Sequence, residues 1–252
     1  MDPTARFSDR VQDYVRCRPT YPKDVLEFLR DELDLAPAAV VADIGSGTGI
    51  LSRLFLDNGN LVYGVEPNPA MRQAAESLLR GYDRFCSVAG RAEGTDLPAH
   101  SIDFVVVGQA FHWFEVEAAQ AEFRRILKHG AWAVLIWNSR RTDGTEFLQA
   151  YEQFLRRWCP GYEEVSSRYA NVASLRSFFG AGGYGVRTFE NWQEFDLAGL
   201  QGRLLSSSYA HAADHPQRGQ LLAALRELFV THQRGGVVRF EYDTPVYYGK
   251  LP

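Results

Sequence analysis

A short apolar strand that ends in an acid and runs straight into alternating glycines leaves this chain few architectures. Residues 40 to 49 read Val-Val-Ala-Asp-Ile-Gly-Ser-Gly-Thr-Gly. Gly45, Gly47 and Gly49 allow a sharp turn with positive φ and let a ligand approach with no Cβ in the way, and Ile50 to Leu54 opens a helix. Strand, glycine turn and helix in that order form the ligand-binding edge of a doubly wound α/β sheet. The next apolar run, Leu61 to Val65, closes on Glu66, about twenty residues after the first glycine. Such a fold places there the carboxylate that accepts both hydroxyls of a ribose.

The spacing separates two kinds of nucleotide cofactor. A dinucleotide loop reads G-x-G-x-x-G because a pyrophosphate sits on the helix N-terminus. Here the third glycine comes one residue early, and Asp43 stands two residues before the first, where it would repel a pyrophosphate and suit a cationic ligand. On Asp43, Gly45, Ser46, Gly47, Gly49 and Glu66 the chain resembles the class I S-adenosylmethionine-dependent methyltransferases. Two further stretches, Gln109-Ala110-Phe111-His112-Trp113-Phe114 and Arg18-Pro19-Thr20-Tyr21-Pro22, are similar to the small-molecule branch that includes the trans-aconitate methyltransferases. The resemblance implies S-adenosyl-L-methionine as cofactor and methyl transfer to a small molecule, at a carboxylate or hydroxyl oxygen. It also implies a mostly parallel seven-stranded sheet with helices on both faces, an antiparallel addition at one edge and a helical cap over the substrate site. Two rivals stay open: a cofactor-binding scaffold that does not catalyse, and a dinucleotide-dependent oxidoreductase.

The rest of the pattern agrees with that fold class. Apolar runs at 40–44, 61–66, 85–89, 102–107 and 131–137 alternate with helical segments at 50–58, 69–79 and 116–127, as in a parallel sheet with covering helices. His129-Gly130 is expected to stop the third of these helices. Beyond Trp137, helices are expected at 145–158 and 221–232 and strands at 185–195 and 237–248. With 252 residues, 46% of them hydrophobic, the chain can bury one core. The expected division is an N-terminal arm or lid (1–35), a cofactor-binding core (36–138), a substrate cap with the sixth strand (139–236) and a final strand (237–252).

Charge and cysteines narrow the partners. Lys and Arg number 27 against 31 Asp and Glu, a net charge of −4, and no basic block stands out, so a nucleic-acid substrate is not expected. Three scattered cysteines without a C-x-x-C suit reduced thiols better than disulfides or zinc. No segment approaches membrane-spanning length, and the first residues lack a secretion signal. A soluble, cytoplasmic protein acting on a small molecule is the expectation; nothing in the pattern sets an oligomeric state.

Ligands in doubly wound folds sit outside the carboxyl ends of the strands. Pro67 follows the second strand beside Glu66. After the third come Arg91, Ala92 and Glu93; the resembled family usually has an acid or small polar residue where Arg91 stands, so adenine contact is expected from the backbone of Ala92 and Glu93. After the fourth come Gln109 and Ala110, then His112, the candidate catalytic residue, either as a general base for a hydroxyl or as an orienting group where alignment alone suffices. Asn138 and Arg140 follow the fifth. Trp113, Asn138, Arg140, Tyr14, Arg18 and Tyr21 are candidate substrate contacts. A carboxylate acceptor would call for an arginine clamp, from Arg18, Arg140 or Arg141. Residues 7 to 22 have the aromatic and proline content of a lid. His211 and His215 share metal-ligand spacing but lack an evident third ligand, and no metal is expected.

Overall fold

In the computed structural model, residues 17–163, 172–207, 209–211 and 214–251 are described. The chain alternates α1 (Lys23–Leu33), β1 (Val40–Ile44), α2 (Ile50–Asp57), β2 (Leu61–Val65), α3 (Pro69–Leu78), β3 (Phe85–Val88), β4 (Ile102–Gly108), α4 (Val116–Ile126) and β5 (Leu127–Ile136). There follow β6 (Ser139–Arg140), α5 (Glu146–Trp158), α6 (Val172–Phe179), β7 (Gly185–Phe195), α7 (Leu197–Leu205), α8 (Arg218–His232) and β8 (Val238–Gly249). The sheet order is β3-β2-β1-β4-β5-β8, with β7 paired along β8 on the outer side and the short β6 on the inner side. The first five strands pair in parallel. β8 runs antiparallel to β5, β6 and β7 and supplies the antiparallel addition.

Side chains alternate across a strand with period two, and the two faces collect separate apolar clusters. Ala42, Ile44, Val105, Val107, Ala133 and Leu135 meet α4 and α6 through Phe123, Leu175 and Phe178. Val41, Phe104, Val106, Val134 and Ile136 meet α1 and α2 through Leu29 and Phe55. A third cluster joins α5, α7 and α8 to Phe240 and Tyr242 of β8. This is the cap, with a core of its own beyond the sheet. Among the described residues no helix is long and apolar enough to cross a membrane.

Three departures from the sequence expectation have local causes. α4 ends at Ile126 and β5 begins at Leu127, so His129-Gly130 does not stop the helix. It lies in a bulge where Ile102 faces Leu127 but Phe104 faces Trp132, and Gly130 takes the φ of 74° that the irregularity needs. The segment expected as an arm contains the amphipathic α1, which buries Val25, Leu29 and Leu33. The stretch after Trp158 yields two further helices, α6 and α7, that short apolar runs did not distinguish from loop or strand.

Candidate active site

The loop after β1 is held from both sides. Gly45 and Ser46 donate their amides to Val65 O at 2.8 and 3.2 Å, folding the loop over the end of β2. Gly45 has φ 72°, and a Cβ there would fall 2.6 Å from that of Ala110, so only glycine fits between β1 and the turn after β4. Glu66 then clamps the next glycine: its Oε2 accepts from Gly47 N at 3.0 Å and its Oε1 from Asn68 N at 2.8 Å. Asn68 caps α3 by accepting from the amides of Ala70 and Met71. Arg72, one turn on, donates to the carbonyls of Glu66 and Pro67. Helix start, strand end and carboxylate are thus fixed as one unit.

Asp43 is fully buried. Its Oδ2 accepts from Ser52 Oγ of α2 at 2.6 Å, while Oδ1 has no hydrogen-bond partner among the described residues. Burial pushes this carboxyl up to about 7, the hydrogen bonds of Ser52 pulling it down and nearby Glu66 adding to the rise. Burial raises Glu66 as well, against the amides of Asn68 and Gly47. Two buried carboxylates with acceptor capacity to spare form an acidic end suited to a ligand that brings donors or positive charge.

Both line a cavity of about 720 Å³, within the range of about 300–1,000 Å³ typical of small-molecule sites. Ser46, Gly47, Pro67, Arg91, Ala92, Glu93, Gln109, Ala110, His112, Trp113, Asn138 and Arg140 share its wall. Gly49 lies outside that wall: it caps α2 and packs on Leu79. Glu93 accepts the amide of Glu115 on a carboxylate oxygen at 2.9 Å. Gln109 sits at φ 59°, a region sparsely used by residues with a side chain. It is held there by its amide on Ile136 O and its Nε2 on Asn138 O, 3.0 and 3.1 Å. The following turn, Phe111–Trp113, divides the aromatics. Phe111 is buried in the core against Phe178 at 5.0 Å between ring centroids, whereas His112 lies tilted against Trp113, ring centroids 4.7 Å apart, with both on the cavity.

Of the arm expected over 7–22, residues 7–16, with Tyr14, lie outside the described residues. Residues 17–22 are docked as one side of the cavity. Arg18 Nη2 donates to Ser206 O at 2.8 Å, and Thr20 O accepts from Asn191 and Asn138 at 2.7 and 3.3 Å. The Tyr21 ring lies against Gly108 at the end of β4. Asn138 is the knot of this corner, also accepting from Thr244 Oγ1 at 2.7 Å.

The arginines separate by strand alternation. Arg140 points inward, its Nη2 on Glu152 Oε2 at 2.6 Å and on Tyr162 Oη at 3.0 Å. Burial pushes Glu152 up, but the Tyr162 hydroxyl and Arg140 outweigh it and hold the carboxyl below its ordinary value. Arg141 points outward to Asp243, Glu190 and Glu241 and lies off the cavity, so it cannot serve as a clamp. Arg203, Tyr162 and Tyr209 line the cavity as well; sequence reasoning missed all three, because no motif or strand end marks them. His211 and His215 stack on one another at 3.9 Å, and no group of three potential metal ligands occurs among the described residues.

Residues 42–135 match the methyltransferase domain family. The chain is 34% identical over 139 residues to an uncharacterized methyltransferase of Mycobacterium bovis, covering 55% of this chain and 54% of that one. It is 30% identical over 154 residues to the uncharacterized methyltransferase YrrT of Bacillus subtilis, covering 58% and 70%. Its fold is similar to a solved structure described as a candidate type II methyltransferase from Anaeromyxobacter dehalogenans, with a TM-score of 0.69, 26% identity and coverage of 93% and 99%. The chain spans about half the length of the mycobacterial relatives it matches.

Proposed function

Since this chain belongs to the methyltransferase family, we propose that it transfers a methyl group from S-adenosyl-L-methionine to an oxygen of a small-molecule acceptor, in the cytoplasm, in the manner of the branch that includes the trans-aconitate methyltransferases. The observation that carries this reading is one cavity with Glu66 and Asp43 at one end and basic and aromatic cap residues at the other. The residues fit the cofactor. A Glu66 carboxylate offers about four acceptor positions, and two are used by loop amides, leaving capacity for ribose hydroxyls. Asp43 retains a buried acceptor without a partner among the described residues. A Cβ on Gly47 would meet no protein atom within 4 Å, so the loop presents bare backbone to the cavity. Ala92 and Glu93 offer backbone for the adenine, and Gln109 and Ala110 bound the site after β4.

The cofactor, when bound, supplies a methyl group already activated by a sulfonium. The chain then has mainly to align an acceptor and keep water out, and alignment alone supplies a large part of such a rate. His112, beside Trp113 on the wall, orients the acceptor. With Arg140 paired to Glu152, Arg203 makes the cap end basic, which suits an oxygen nucleophile and repels an ammonium. The cavity is open, not plugged by Trp113, and this favours an enzyme over a scaffold.

The test offers methyl-labelled donor with panels of carboxylic acids, phenols and amines. Label should enter an oxygen acceptor. For that acceptor His112→Gln should keep most of the single-turnover rate across pH 5 to 9, a range chosen to bracket the ordinary histidine pKa of about 6.5. Loss of about a thousandfold in both His112→Gln and His112→Ala, with a wild-type profile rising through a pKa the variants lack, would make His112 the general base. Label found only in amines, or tight binding of NAD in place of S-adenosylhomocysteine, would overturn the reading.

A further inference from the structure

The basic end of the cavity holds a charge with no carboxylate partner among the described residues. Arg203 lies on α7 with only 8% of its surface exposed and lines the same cavity as Gly47 and Glu66. Its Nη1 donates to Ser207 Oγ at 3.1 Å, and its Nε is buried with no hydrogen-bond partner among the described residues. The titratable groups that act on it are the phenols of Tyr242, which also hydrogen-bonds it, Tyr209 and Tyr151, none of them a carboxylate. Among the described residues the neighbouring arginines have carboxylates of their own, Arg140 with Glu152 and Arg141 with Asp243, Glu190 and Glu241. A second guanidinium approaches the same turn, since Arg18 donates to the carbonyl of Ser206. The hydroxyl of Tyr151, buried on the same helix as Glu152, is also without a partner among the described residues.

A guanidinium cannot shed its proton to escape burial. A buried charge without a counter-ion is strongly unfavourable, and chains normally supply a carboxylate for it, as Arg140 shows here. The donors of a guanidinium match the oxygens of a carboxylate or phosphate in distance and direction. We propose that Arg203 anchors an oxyanion of the acceptor, a carboxylate or a phosphate, at the cap end of the cavity, beside the packed rings of Tyr162 and Tyr209. The anchored group fixes which way the acceptor lies, so that its reacting oxygen turns toward the Gly47 and His112 end. This rests on the methyltransferase reading and adds the class of substrate.

The experiment titrates the intact protein, saturated with S-adenosylhomocysteine, with succinate, inorganic phosphate and uncharged succinamide, following binding by calorimetry and by the unfolding temperature. Succinate or phosphate should bind and stabilise, and succinamide should not; whichever anion binds identifies the group. Arg203→Met, which keeps length and removes the charge, should weaken that anion roughly ten- to a hundredfold and leave the affinity for S-adenosylhomocysteine unchanged. Relieved of a buried charge that has no carboxylate partner, it should unfold no earlier than the wild type in the absence of anion. Arg203→Lys, which keeps the charge and loses the fork, should fall between the two and serves as the decisive variant if the methionine protein does not fold. Equal anion affinity in wild type and variants, or no anion binding by a protein that still binds S-adenosylhomocysteine, would overturn the proposal and leave the methyltransferase reading intact. Failure to bind S-adenosylhomocysteine at all would instead sink that reading.

Discussion

The two ends of the cavity are built in opposite ways. At the glycine-loop end the charges are acids, and the backbone around them is locked: Glu66 holds the amides of Gly47 and Asn68, and Ser52 holds Asp43. At the cap end the charges are arginines on elements far apart in sequence: Arg140 carries its own carboxylate, whereas Arg203 is surrounded by phenols. The first end is a preformed cradle whose parts lie within about thirty residues of one another, as in other doubly wound nucleotide sites. The second is assembled by the packing of α5, α7 and β6 around one aromatic cluster. A cradle for a cationic donor can stay the same while the cap changes with the acceptor, which is the division of labour expected of a fold that hosts many activities.

The largest effect should come from breaking the cradle. Glu66→Ala removes a charged acceptor of two amide bonds and of the ribose proposed to lie there, and should cost about 1.5 to 3 kcal/mol of S-adenosylhomocysteine binding, roughly tenfold to more than a hundredfold. Glu66→Gln should fall between, since it keeps the side chain's length and one acceptor. Calorimetric titration checks both. Unchanged affinity in Glu66→Ala would show that the acid end is structural and dissolve the contrast between the ends.

A smaller effect tests the sign of charge at the same end. Because burial lifts Asp43 to about 7, the ligand-free protein holds a proton there near neutrality, and a cationic cofactor should bind best to the ionised form. Affinity for S-adenosylmethionine should therefore rise about tenfold between pH 6 and pH 8, and Asp43→Asn should flatten the profile. The stability of the ligand-free protein should move the other way. Between the ordinary value of 3.8 and about 7 the unfolded chain has released a proton that the folded one keeps, so stability falls as pH rises through that window. Denaturant midpoints at intervals across it provide the check, and a pH-independent midpoint difference between wild type and Asp43→Asn would remove Asp43 as the titrating group.

The same contrast explains what was legible in the sequence. β1, β2 and β7 lie within a residue of their expected bounds because each is a short apolar or alternating run bounded by turn residues. That Asp43, Gly47 and Glu66 meet on one cavity was legible from spacing along one βαβ unit, whose geometry is local. Arg203 offered no such signal: in Leu-Ala-Gly-Leu-Gln-Gly-Arg-Leu-Leu it looks like the solvated cation of an amphipathic helix. Only the fold of α7 against β8 turns it to the cavity. Arg140 and Arg141 were equivalent as sequence. The two-residue β6 parts them, because neighbouring side chains on a strand point to opposite sides. Gly49, counted with the other glycines, proved to serve the packing of α2 on Leu79.

The smallest effect asks whether the two ends are independent. Thr145 caps α5, its hydroxyl accepting from Leu148 N at 3.2 Å, and α5 carries both Tyr151 and Glu152 of the basic end. Thr145→Ala removes that cap and should lower stability by about 1 kcal/mol, within the span of roughly 0.5 to 2 kcal/mol seen for such caps, read as a shift in denaturant midpoint at constant slope. The cradle is built from β1, β2 and α3, none of which contains Thr145, so S-adenosylhomocysteine affinity should stay the same within about a factor of two, the additivity expected of sites that share no partners. A fall in affinity that follows the fall in stability would mean that the cap and the cradle form one cooperative unit. The arm would then be the connection, since residues 17–22 touch the C-cap of α7, Ser206, through Arg18 and the end of β4 through Tyr21. Arg18→Ala should in that case reproduce the coupled loss, and in the independent case it should weaken the oxyanion end alone.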